Sequence, residues 1–371
     1  MFKQQTIALA CAACAAGMPA ASAMAQTTVA LYGSVDGGIS YVSNERGSGN
    51  TRVDSGNRSP DRFGFRGVED LGGGLKAMFM LESGFNLDDG TLKKSTALFN
   101  RRAVVGLDSN YGLLTLGHMP DFMYDYLRFQ SNGIMGSSYF FHPGNLDNQA
   151  STFQIDNAVR YETPNLGGFK LGAMIGFGEN PGDSSKNRNW SAGAQYAAGP
   201  LKANLAYTVS NDRSFNLGGT LGIRSLLGQT LSNGDPSAPS ATYTNFASPK
   251  TTSVGATGSY TVGRFTPHAM FSRVELENRV GSAAQTNYEL GTDIDTGNFN
   301  IVGVSTGISR FAGVRWTQFN VIDMLSLSKR TTLYAAVAYQ RASDGLAVIN
   351  GLAPSSTNRQ VVSRIGIHHF F

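Results

Sequence analysis

From Val29 to Val42 every second residue is of one kind. Val29, Leu31, Gly33, Val35, Gly37, Ile39 and Tyr41 form one set, and Tyr32, Ser34, Asp36, Gly38 and Ser40 the other. A period of two marks a strand whose two faces meet different surroundings. The same pattern returns far along the chain. Leu75, Ala77, Phe79 and Leu81 oppose Lys76, Met78, Met80 and Glu82. Leu333, Ala335, Val337 and Tyr339 oppose Tyr334, Ala336, Ala338 and Gln340, and at the end Ile365, Ile367 and Phe371 alternate with Arg364, Gly366 and His368. No helical period persists over several turns, so the chain is expected to be all-β.

Alternation alone also fits a soluble sandwich. The connections decide. Short turns, at 71–74, 109–112, 164–168, 198–200, 262–264 and 328–330, alternate with long polar stretches. The long ones lie at about 43–58, 87–97, 119–154, 179–189, 212–250, 277–285, 306–312 and 343–357. Such alternation puts every long loop on one side of the sheet, the plan of an outer-membrane barrel with periplasmic turns and extracellular loops. The expected fold is a 16-stranded antiparallel transmembrane β-barrel. Roughly 22 residues per strand with its connection leaves room for the 9–11 that a tilted spanning strand needs.

Composition agrees. Charged residues are 15% of the chain, against about 25% in soluble domains. Mean hydropathy is nevertheless −0.16. With 22 Phe, 14 Tyr and 2 Trp the chain is too aromatic for a disordered one. Beyond the N-terminus no apolar run reaches the ~20 residues of a spanning helix. Residues 1–25 read as a secretory signal peptide: Lys3, an apolar stretch from Thr6 to Met18, then Ala23-Met24-Ala25. Both cysteines, Cys11 and Cys14, fall inside it, so the barrel domain, 26–371, has none. A net charge of +4 is too small to argue for nucleic acid.

Catalysis has little to stand on. Of the five histidines none lies in a G-x-S-x-G context. His368 and His369 are neighbours on a strand and point to opposite faces, which disfavours a shared metal. No cofactor, metal or catalytic residue is expected. A barrel enzyme or adhesin is the more distant alternative.

Several segments carry a resemblance: VALYGSVDGGISY at the start, DRFGFRGVEDLGGGLKAMFMLESGF (61–85), FNRRAVVGLDSNYGLLTLG (99–117), NAVRYETPNLGGFKLGAMIGFGE (157–179), LSKRTTLYAAVAY (327–339) and the terminal GIHHFF. Together they resemble the trimeric general porins of Gram-negative bacteria, of the neisserial and Burkholderia/Comamonas type. The resemblance implies a water-filled channel in the cell outer membrane for small hydrophilic solutes and ions. It also implies a homotrimer in contact with outer-membrane lipid and lipopolysaccharide. Its nearest alternative is a substrate-specific channel for small organic anions.

In that family the third long loop folds into the barrel and narrows it. Here 119–154 is rich in aromatic and apolar residues that a solvated loop would expose. The family's arginine wall maps onto Arg62 and Arg101, with Arg160 beside them. Arg102 adjoins Arg101, and strict alternation turns only one of the two inward. The match favours Arg101; Arg102 lines the pore if a bulge intervenes. Asp121 and Asp125, at the start of the loop, are candidates for the negative side. Arginines outnumber these acids, so a weak anion preference is expected. Phe371 resembles the terminal aromatic read by the barrel-assembly machinery. His368 departs from the family, which has Arg there. Asp323 falls on the lipid face, so either the register slips or it sits near the periplasmic rim.

Overall fold

The computed structural model describes residues 28–371; the expected signal peptide lies outside them. The strands are β1 (Thr28–Glu45), β2a (Ser48–Ser55), β2b (Arg62–Gly72), β3 (Leu75–Gly84), β4 (Arg102–Ser109), β5 (Gly112–Met119), β6 (Ile155–Glu162), β7 (Phe169–Gly176) and β8 (Asn189–Ala198). They continue with β9 (Leu201–Phe215), β10 (Phe246–Tyr260), β11 (Phe265–Glu277), β12 (Ser282–Gly297), β13 (Asn300–Phe311), β14 (Val314–Ser326), β15 (Thr331–Ser343) and β16 (Arg359–Phe370). All these segments join one sheet. β2a and β2b both pair with β1 and form one stave, interrupted at 56–61. The barrel therefore has sixteen staves. β16 closes it on β1, from Ser34 opposite Phe370 to Val42 opposite Val362. Closure leaves no unpaired edge, the condition for strands to cross lipid.

Alternation follows the closure. Val29, Leu31, Val105, Leu205, Phe319 and Ile365 are exposed on the outer face, while Ser34, Asp36, Ser40, Ser272 and Gln340 are buried on the inner one. Exposed apolar side chains in a continuous band are unfavourable in water and favourable in lipid. Asp323 is on the outer face, three residues from the short-turn end of β14, where Asn300 donates to it at 2.6 Å. The register thus stands, and the charge sits at the rim.

Three expected long loops are tight. β2a occupies most of 43–58, and the turn there is Arg46-Gly47. Between β11 and β12 only 278–281 remain, and β13 runs to Phe311 before a turn at Ala312-Gly313. These strands extend beyond the apolar band, where both faces are wet and no period of two appears. At the seam Phe371 exchanges two backbone hydrogen bonds with Gly33, each 3.1 Å. Only a residue without Cβ fits there, because one would meet the Phe371 ring at 2.1 Å.

The third loop, 120–154, lies inside the barrel. It opens with helix α1 (Phe122–Leu127). Phe122, Met123 and Leu127 are wholly buried against Val104, Ile155, Ala206 and Met270 of the inner wall. Gly172, Gly193 and Gly255 make the space: a Cβ there would meet Phe122 at 2.3 Å, Tyr126 at 2.6 Å and Leu127 at 2.5 Å. The apolar content of the loop is thereby covered, as its composition demanded.

Candidate pore constriction

α1 begins at Asp121, whose carboxylate accepts from the Tyr124 amide at 3.1 Å and from Asn148 Nδ2 at 3.0 Å. It caps the helix and is buried, and burial raises its pKa. The structure does not bring Asp121 to the arginine wall. Asp125, one turn on, does reach it. Arg102 and Arg160 each hold one of its oxygens at 2.5 Å. Burial alone would raise the Asp125 pKa, but the two guanidiniums outweigh it and hold the carboxyl below its usual range. Arg160 also pairs with Glu162 at 3.1 Å and lies 4.1 Å over the Phe122 ring. Arg160 thus anchors the loop through Asp125.

Arg62 and Arg101 meet at Glu82, on the inward face of β3. Arg101 Nε lies 2.7 Å from one carboxylate oxygen and Arg62 Nε 3.6 Å from the other. Both Arg101 and Arg102 reach inward without a bulge. The ladder of β4 starts only at Arg102, and Arg101, still outside it, is free of the alternation.

Sequence reasoning missed Arg128, which follows α1. Its guanidinium stacks 4.3 Å over the Tyr124 ring and also donates to the Tyr124 hydroxyl. Arg101 donates to the same hydroxyl at 3.4 Å. The loop therefore presents a cation, Arg128, beside the acid Asp125 towards the arginine wall. Burial alone would raise the Tyr124 pKa; Arg128 and Arg101 outweigh it and lower it. Arg58 was missed too. It comes from the break in the second stave and donates to the Ile134 carbonyl of the loop at 2.9 Å. A basic residue inside a polar stretch such as 43–58 looks like any solvated charge until the stave is seen to break inward.

Above this level the lumen widens to a cavity of about 920 Å³. Arg46, Arg52, Arg58, Lys93, Lys94 and Arg101 line it, against Asp54, Asp61 and Asp88.

The far side of the loop is held differently. His142 is buried between Asp147, 2.6 Å from Nδ1, and Glu289 of β12, 2.9 Å from Nε2. Ser272 of β11 donates to Asp147 at 2.6 Å, and the Asn132 amide donates to Glu289 at 2.8 Å. Burial alone would lower the His142 pKa. The two carboxylates outweigh it and push it up to about 10. Gln285 and Gln318 donate to the carbonyls of Pro143 and Tyr139 at 3.0 and 2.9 Å, which fixes the loop backbone along β12 and β14.

A closed barrel of sixteen staves with an apolar belt and an inward loop over a charged lumen is a membrane channel by architecture. Comparison with known proteins gives the family. Residues 8–345 match the model of the Gram-negative porin family, and the chain belongs to it. It is 33% identical over 243 residues to an outer membrane porin protein of Bordetella pertussis, covering 54% of this chain and 62% of that one. It is 28% identical over 338 residues to outer membrane porin protein 32 of Delftia acidovorans, covering 87% of this chain and 86% of the relative. Its fold matches the anion-selective porin from Comamonas acidovorans with a TM-score of 0.76 at 24% identity, over 93% of this chain and all of that one. The protein is an outer-membrane porin.

Proposed function

We propose that the channel passes small hydrophilic solutes passively and favours anions, like the anion-selective porin from Comamonas acidovorans whose fold it shares. The observation that carries this is the lumen's charge balance. Six basic side chains against three carboxylates line the outer cavity, and the inward loop adds Arg128 beside the already paired Asp125. A cation excess in a narrow bore with low-dielectric walls raises the local anion concentration. Over a Debye length of ~8–10 Å the field acts only where the lumen is narrow. Arg62, Arg101 and Arg128 form the constriction in this reading. Asp125 holds the loop to Arg102 and Arg160 and contributes little free negative charge. The protein acts as a channel and not as an enzyme.

The same reading takes residues 1–25 as a cleaved export leader. It takes Phe371, sealed against Gly33, as the terminal signal for the barrel-assembly machinery. It takes the working form as a homotrimer surrounded by outer-membrane lipid and lipopolysaccharide. Bilayer conductance with a KCl gradient across the membrane tests the channel and its preference together. A reversal potential of the anion sign is expected; the cation sign would overturn the preference.

A further inference from the structure

A second cavity, about 590 Å³, opens at the long-loop end between the third loop and the outer ends of β6 to β9. Arg213 lines it. Up to Ser210 the even residues of β9 face inward. Asp212 adopts a left-handed φ of 56°. Beyond it Arg213 is half-buried and Phe215 buried, while Asp212 and Ser214 are exposed. The backbone irregularity thus turns a guanidinium into the cavity that regular alternation would have sent outside.

There the guanidinium carbon lies 3.9 Å from the ring centre of Phe153 and 4.6 Å from that of Phe215. The guanidinium thus lies against two aromatic rings while lining the cavity. No carboxylate among the described residues lies within ion-pair distance of it, although Asp156 and Asp212 line the same cavity and the buried Asp121 caps α1 nearby. A guanidinium matches a carboxylate bidentately. Asn157, Asn189, Asn211 and Asn216 line the same cavity.

The geometry points to a subsite for a small hydroxylated carboxylate, of the sugar-acid class, held by Arg213 at its carboxylate and by the asparagines at its hydroxyls. The subsite rests on the channel reading and adds to it a binding step before the constriction.

Gluconate is the probe, and glucose its uncharged counterpart. Current through the reconstituted protein in KCl is followed as potassium gluconate is added on the long-loop side. The wild type is expected to show saturable block by gluconate and none by glucose. In Arg213→Gln the half-blocking concentration should rise at least tenfold. The KCl reversal potential should stay close to that of the wild type, because Arg213 stands apart from Arg62, Arg101 and Arg128. Arg213→Lys keeps the charge without the fork and should fall between, and it carries the test if Arg213→Gln does not assemble. A current that falls only in proportion to the chloride replaced, or equal block in both variants and the wild type, would overturn the subsite. A wild type without KCl conductance would overturn the channel reading beneath it.

Discussion

The third loop touches the barrel wall in two charged places, and they are built to opposite rules. On the β11–β12 side one histidine sits between two carboxylates, all buried. On the β2–β4 side arginines cluster around Glu82, Asp125 and the Tyr124 hydroxyl, and several are partly exposed. The first place is dry and must balance its own charge, since an unpaired buried ion costs several kcal/mol. The second is less buried, with Arg62 and Arg102 about a fifth exposed at the lumen, and can keep a cation excess there because water and passing anions screen it. Both places hold the loop to the wall, and in the proposed reading only the second also acts on passing solutes.

The largest effect is expected at His142. His142→Ala leaves Asp147 and Glu289 facing each other without a cation. Removing one partner of a buried ion pair costs about 3–5 kcal/mol. The expected result is a loop that leaves the wall: larger current noise in bilayers and a lower unfolding temperature in detergent. Quiet channels with unchanged thermal stability would show that the cage does not hold the loop.

Alkaline pH makes the same break reversibly and less completely. The His142 pKa is raised to about 10 from an ordinary 6.5. Its contribution is whole below about pH 6.5 and is lost as pH climbs through 10. Asp147 is held below its usual range, so its contribution is present above about pH 4 and lost on acidification. Current noise should therefore stay low between those limits and rise reversibly above pH 10. A His142→Ala channel should lack the alkaline step.

The two places were not equally legible in the sequence. The barrel was, because lipid on one face and water on the other write a period of two into every spanning strand. Strand ends beyond the lipid band, such as Ser48–Ser55, have water on both sides and read as loop. Arg62, Arg101 and Arg160 were legible through their local motifs and reach inward; Arg102, which alternation beside an inward Arg101 would have turned away, reaches inward too. Arg128 and Arg58 were not, since their positions depend on how a loop and a broken stave fold back. His142 and Glu289 are 147 residues apart and had no local signal at all. Asp121 and Asp125 looked alike in sequence; the helix between them made one a cap and the other an ion-pair partner.

On the wet side, removing cations should cost selectivity and little stability. Arg62→Ala with Arg101→Ala leaves Glu82 without its two guanidiniums. Anion preference in a KCl gradient should fall and approach zero, while the protein still assembles. Unchanged reversal potential in the double variant would place the constriction elsewhere.

The smallest effect sharpens the contrast. Glu82 accepts hydrogen bonds from Tyr32 at 3.0 Å and from Arg101 at 2.7 Å. Glu82→Gln keeps the shape and an acceptor oxygen but frees one unit of positive charge in the lumen. Arg62 keeps about a fifth of its side chain open to water, so part of the lost pairing is replaced there, and the loss of stability should be smaller than that of His142→Ala. The reversal potential should move further to the anion side, by less than the double arginine variant moves it the other way. In the dry cage the corresponding change, Glu289→Gln, takes one of two carboxylates from a buried histidine that has no water to turn to. If the two Gln variants proved equally stable, the division of the loop into a dry anchor and a wet filter would fail. A Glu82→Gln channel that shifted towards cations would show that the arginines, left without their acid, withdraw from the lumen.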